Sequence, residues 1–272
     1  MLKKSIVFVL VLSLFSVAGV SFAKPNFPEG VNPGGHSFSL PANAVEVAPN
    51  VFSLGTAYDA QSNSFVEGYA FVHKKENAKN SAAKAPKSPA CYGYLANGAK
   101  WKGTPEPWII NTSNEDGLSE SFVFNTISND INKWENAAAT NILDNGEVTN
   151  SVLVADEVAP DGQNEVYFGD LGTNGTIGVT IVWGIFSGPT FNRKLVEWDQ
   201  VYNTYYDWSA SGEASKMDFD NIATHELGHS VGMNDIYNLS CSAVTMYGYA
   251  NFGETNKSSL EQADITGINN LY

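Results

Sequence analysis

The sequence predicts an α+β domain, on three observations. Runs with strand-like apolar patterning are grouped at Val51 to Lys75 and again from Ser151 to Asp207. Ser119 to Ala139 repeats its apolar residues at helical spacing. Two more helical stretches, Asp220 to Val231 and Ser259 to Tyr272, are gathered near the end. Strands in groups with helices after them predict a mixed sheet covered by helices, and no internal repeat competes with that organisation.

The first 23 residues carry Lys3 and Lys4, an apolar run from Ile6 to Val20, and the small-residue ending Ser21-Phe22-Ala23, which is the layout of a secretory signal peptide. A membrane anchor is the competing expectation, because Ile6 to Ala23 is only just short of a bilayer span. The cleavage-type ending argues for removal, a secreted product and no stable membrane association afterwards. Losing the two lysines takes the formal charge from −14 to −16. With Arg193 as the sole arginine, so acidic a chain repels phosphate backbones, which argues against nucleic acid as a partner.

Residues Lys24 to Pro49 are rich in Pro, Gly and Asn and read as extended. Val51 to Lys75 then alternates around Gln61-Ser62-Asn63 as a β-hairpin. Glu76 to Pro89 offers nothing larger than Lys to bury and has the composition of an exposed linker. The chain therefore divides into residues 1–23 (signal), 24–89 (an N-terminal extension or pro-segment with its linker at 76–89) and 90–272 (the main domain). In that domain Trp101 to Ile110 reads as a strand, and Phe122, Ile127, Ile131 and Trp134 mark the first helix. SVLVADEV, EVYFGDL, TIGVTIVW and LVEWDQVYN follow as β-rich runs. The second helix has Asp218 or Asp220 to cap its start and Gly232 to stop it. Leu260, Ile265, Ile268 and Leu271 lie on one side of the last helix.

The second helix and the turn after it carry HELGHSVGMND, residues 225–235. Residues four apart differ by about 40° around a helix axis, so His225 and His229 share a face and can share one zinc ion. Glu226 lies beside them as a general base. Gly232 suits a left-handed turn, after which Asp235 offers a carboxylate oxygen, an accepted zinc ligand. No histidine follows His229, and His36 and His73 lie in the N-terminal segment, so the third ligand is expected to be a carboxylate, a tyrosine or water, and Asp235 is the nearest. The competing role for Asp235 is a helix-end or calcium-binding carboxylate. Three protein ligands with one open position is the catalytic pattern.

H-E-x-x-H-x-x-G-x-x-D resembles the extended zinc signature of the metzincin metallopeptidases, in the Asp-ended form of snapalysin-like members. Ser242 to Tyr247 resembles the family's Met-turn, and Leu260 to Tyr272 is similar to the last helix of matrixins. Ala99-Lys100-Trp101 before a strand, with Trp134 on a long helix, resembles the start of a matrixin catalytic domain. The resemblance covers about Tyr92 to Tyr272. It implies a twisted mixed sheet with an active-site helix and a C-terminal helix, and a zinc cleft between two subdomains. The implied activity is a monomeric, secreted, zinc-dependent endopeptidase acting on proteins or peptides. His225, His229 and Asp235 would bind one catalytic zinc, Glu226 would be the base, Met246 the floor, and Tyr249 an oxyanion-stabilising group or a pocket wall.

Three departures qualify the resemblance. Asp in place of His lowers the charge of the site, so its water should be less acid and the rate maximum should lie at neutral pH or above. The region Ser151 to Ile181 has no histidine for a structural zinc, which leaves calcium at Asp156, Asp161, Glu165 or Asp170 as one expectation and a solvated acidic loop as the other. Cys91 stands near the place of an inhibitory matrixin cysteine, but after export it and Cys241 are also an even pair suited to one disulfide. Two other functions compete: a thermolysin-like site with Glu254 or Glu261 as third ligand, and a zinc-binding or adhesive module without turnover, which would have no chemical use for Glu226.

Overall fold

A single mixed sheet of nine strands carries the molecule, in a computed structural model that describes residues 35, 37–76, 90–103 and 105–272. Its strands are β1 (Val45–Ala48), β2 (Val51–Asp59), β3 (Ser64–Lys75), β4 (Glu106–Asn111), β5 (Leu143–Val148), β6 (Asn164–Gly169), β7 (Thr176–Ile185), β8 (Lys194–Asn203) and β11 (Tyr249–Ala250). They are ordered β1-β2-β3-β7-β8-β6-β4-β5, with β11 paired to β3. Strands β5, β4, β6 and β8 run parallel to one another, whereas β7, β3, β2 and β1 add on antiparallel beyond β8. Short β9 (Trp208–Ser209) and β10 (Met217–Asp218) pair separately.

Helices α1 (Glu120–Ala138), α2 (Phe219–Ser230) and α3 (Gln262–Leu271) contribute their buried residues to one apolar cluster on the sheet. Ser119 caps α1, as its helical spacing required, and Ala139 ends it in the left-handed conformation. Trp134 of α1 is fully buried and its Nε1 donates to Thr224 O of α2 at 2.9 Å, which fixes the two helices against each other. A second apolar cluster joins Leu54, Val66, Ala70 and Val72 of the hairpin to Val179, Ile181 and Trp183.

The hairpin forms as expected, but its strands continue the main sheet through eight pairings of β3 with β7. Other boundaries moved. The strand expected from Trp101 begins at Glu106, because Trp101 is held by side-chain bonds: Tyr272 OH donates to Val231 O and accepts from Trp101 N. SVLVADEV makes only one isolated bridge, from Leu153 to Gly35. Its alternation is real burial, but Ala155 N donates to Tyr167 OH and Asp156 N to Asp199 Oδ2, so those donors are lost to a ladder. Strand β5 went unrecognised because LDNGEV is mostly exposed and polar. The last helix starts at Gln262, where Glu261 and Asp264 form a reciprocal cap.

Cys91 and Cys241 are joined, with Cα atoms 5.4 Å apart across 150 residues. Closing so long a loop contributes ~3–5 kcal/mol in the chain-entropy account. The signal segment and all but Glu76 of the linker lie outside the described residues. Among the described residues no helix is long and apolar enough to cross a membrane.

Candidate metal centre

Helix α2 begins where the Asp218 side chain accepts from Asn221 N at 3.0 Å. It is buried along nearly its whole length, so its polar side chains meet only partners the fold supplies. It ends at Gly232, whose φ of 99° turns the chain sharply back and brings Asp235 toward the two histidines.

Asp235 Oδ1 lies 3.2 Å from His225 Nε2 and 3.5 Å from His229 Nε2. Each imidazole donates from its other nitrogen, His225 Nδ1 to Thr245 O at 2.8 Å and His229 Nδ1 to Met233 O at 3.1 Å. The carbonyls thereby fix the tautomer, and both Nε2 lone pairs turn toward the carboxylate. All three facing atoms are buried and make no hydrogen bond. Acceptors aimed at acceptors in a dry site repel unless a proton or a metal cation lies between them. Zinc with bonds of 2.0–2.1 Å in tetrahedral array holds its ligand atoms about 3.3 Å apart, so the residues present fit that ion.

The charges of the three groups are strongly linked. Burial pushes the His225 imidazole down to about 4. Burial opposes charge on His229 as well, but Asp235 and Glu226 outweigh it and raise its pKa. Burial likewise opposes ionised Asp235, yet His229 and His225 prevail and hold its carboxyl far below the usual range.

Glu226 is buried beside this group, and burial raises its pKa. Its Oε2 accepts from Thr180 Oγ1 at 2.6 Å, and its Oε1 lies 3.1 Å from Nδ1 of His73. His73 comes from β3, its ring 3.9 Å from that of His225, and burial pushes its pKa down to about 3. Phe71, two residues earlier, stacks on His229 with centroids 4.1 Å apart.

Met246 is fully buried against Gly228, where any Cβ would collide with its sulfur, so the G of HELGH is required by that floor. The turn holding Met246 is pinned by Asp264, whose carboxylate accepts from Thr245 N at 2.9 Å and Met246 N at 3.2 Å. Asp264 thus positions the carbonyl that orients His225.

Tyr249 lies in β11 with its ring 5.1 Å from that of Tyr237. It is Tyr237 whose hydroxyl donates to Asp235 Oδ2, at 2.9 Å, while accepting from Asn50 Nδ2. Glu254 pairs with Lys257, and Glu261 caps α3, so neither joins the histidines. Cys91 is taken by its disulfide.

Of the carboxylates considered for calcium, Asp156 and Glu165 lie together with Glu197 and Asp199 of β8. Asp199 accepts from Asp156 N and Glu165 N, while Asp156 Oδ2, Glu165 Oε2 and Glu197 Oε1 are buried without a hydrogen bond. Asp161 accepts locally from Gln163 N, and Asp170 from Gly172 N beyond the other end of β6. Burial and the neighbouring carboxylates push Glu197 up to about 11 and Glu165 to about 8.

His73, set aside in the sequence with the N-terminal segment, lies at the site, and Thr180, Tyr237, Asp264, Glu197 and Asp199 were not singled out. Tyr237, two residues beyond Asp235, was the one close enough in sequence to have been considered.

Two histidines one helical turn apart, a carboxylate from the following turn and an adjacent glutamate form a candidate site for one metal ion with three protein donors. The family model described as Matrixin matches residues 182–272, a stretch that takes in β8, α2, the methionine turn and α3. That match supports a metzincin-like metallopeptidase domain of the matrixin type, a family that normally binds zinc. No curated protein matches the chain.

Proposed function

We propose that the chain is a secreted zinc-dependent endopeptidase, monomeric, with residues 90–272 as catalytic domain and 24–89 as a pro-segment behind a signal peptide. The observation that carries this is the set of three buried, unpartnered acceptors, His225 Nε2, His229 Nε2 and Asp235 Oδ1, beside Glu226. When bound there, zinc supplies Lewis acidity toward a peptide carbonyl and lowers the pKa of water. Glu226 takes the proton of the attacking water on a carboxylate oxygen and delivers it to the leaving amine nitrogen. Its raised pKa suits a group that must hold a proton between those two steps, and Thr180 fixes the carboxylate. Met246 keeps the underside apolar, and Tyr237 and Tyr249 form an aromatic wall.

A zinc-binding module without turnover would give Glu226 and its Thr180 partner no role. A thermolysin-like ligand set is disfavoured because Glu254 and Glu261 are engaged elsewhere. The four-carboxylate group at Asp156, Glu165, Glu197 and Asp199 is proposed as a structural calcium site, since calcium is suited by several carboxylate oxygens at once.

The test is hydrolysis of an unstructured protein by the processed chain, with and without a zinc chelator, beside Glu226→Ala. Expected are loss with chelator, recovery with zinc, and a drop of about 10²–10⁴-fold in the variant with zinc still bound. Activity insensitive to the chelator, or surviving in Glu226→Ala, would overturn the mechanism.

A further inference from the structure

We infer that β3 holds this site shut: residues 71–75 occupy the place of an extended peptide between β7 and β11, and His73 blocks Glu226. The inference rests on the zinc-peptidase reading of the same centre. Strand β3 pairs antiparallel with β7 from Glu67 to Lys74, which sets His73 opposite Gly178. On its other edge Lys74 and Lys75 pair with Tyr249 and Ala250 of β11, just beyond the methionine turn. The backbone of this segment is therefore held from both sides, as a peptide added to a sheet edge is held. Glu76 N continues the contact to Ala250 O at 3.0 Å.

The side chains complete the closure. His73 Nδ1 lies against the carboxylate oxygen of Glu226 that Thr180 does not use, and its ring covers His225. Phe71 covers His229 in the same manner. Asn50, at the start of the hairpin, reaches Tyr237, the hydroxyl partner of Asp235. Each of the four functional residues is thus touched, directly or through one group, by residues 50–73. His225, Glu226, His229 and Asp235 are at most 8 % exposed, which leaves a protein substrate no access. His73 Nε2 is itself buried without a partner, the state of a side chain placed to obstruct a polar site. A conformation in which β3 has left β7 is required for turnover, and the intact chain is latent.

Latency of this kind predicts that any ligand of the site binds in proportion to the open fraction. The experiment loads the full exported chain with zinc, measures metal content, and titrates it with a peptidyl hydroxamate before and after nicking by a lysine-specific protease. Amide exchange of β3 is followed in parallel, and His73→Ala is titrated intact. Expected are one zinc per chain throughout, hydroxamate binding at least about 100-fold tighter once β3 amides lose protection, and an intermediate gain in His73→Ala. Equal hydroxamate affinity in the intact and nicked zinc-loaded chains, or tight binding while β3 stays protected, would overturn the inference. A chain that takes up no zinc overturns the peptidase reading, and the inference falls with it.

Discussion

The metal centre on α2 and the acidic group between β6 and β8 are both buried clusters of acceptor atoms, yet they differ in how charge is balanced. At the candidate metal centre two imidazoles and Asp235 face one point, with each Nδ1 donating to a carbonyl. One divalent cation satisfies all three. The acidic group has four carboxylates and, among the described residues, no ion pair with Lys or Arg, and burial together with the neighbouring carboxylates raises their pKa values. On the zinc and calcium readings proposed above, the first would hold its ion by a fixed donor set, whereas the second would exchange protons for a cation as pH changes.

The largest effect expected is at Asp235. Asp235→Ala removes a ligand outright, and zinc affinity should fall by more than about 100-fold, beyond the range seen for supporting groups. Competition with a chromophoric chelator measures it, and calcium binding at the other cluster should be unchanged. Undiminished zinc affinity would place Asp235 off the metal and dissolve the comparison.

The acidic group gives the next largest effect, and its sign follows from linkage. Glu165 goes from an ordinary 4.5 to about 8 in the folded chain, so the folded state binds the extra proton over that interval. Stability present below about pH 4.5 is then lost as pH rises toward 8, and calcium-free protein should lose about 5 °C of Tm from pH 5 to pH 8. Added calcium should abolish the slope. A calcium-free Tm that climbs across the interval, read by calorimetry, would contradict the assignment of buried, proton-holding carboxylates.

The same contrast explains what was legible in advance. Within HELGHSVGMND the candidate ligands, the candidate base and the turn glycine are local, and the helix and the turn that ends it align them. The acidic group draws on a loop and two strands that meet only through the β6–β8 pairing, so Glu197 and Asp199 looked like ordinary polar positions of a strand. His73 lies 153 residues from Glu226, and nothing in VEGYAFVHKK distinguishes it from a solvent-facing histidine. Strand periodicity located the hairpin but could not show which sheet edge it would join.

A smaller effect tests whether support for the histidines comes from far along the chain. Asp264→Asn replaces one acceptor oxygen with a donor that faces a backbone N–H, loosening the turn that presents Thr245 O to His225. Zinc affinity should fall about tenfold with calcium affinity unchanged. A loss of both would instead indicate general destabilisation, and chemical denaturation separates the two.

The smallest effect belongs to Tyr237→Phe. The phenol donates to Asp235 Oδ2, the oxygen turned away from the histidines, so its loss frees the carboxylate to rotate without removing a ligand. Zinc should dissociate about fivefold more readily, short of the loss expected when an imidazole's own carbonyl partner is disturbed. The same hydroxyl accepts from Asn50, so the variant also removes one tie between the hairpin and the centre. If β3 closes the site, exchange at the start of the hairpin should quicken together with zinc release. If the hairpin is only a structural extension of the sheet, zinc release alone will change, because the pairings of β3 with β7 do not involve Tyr237.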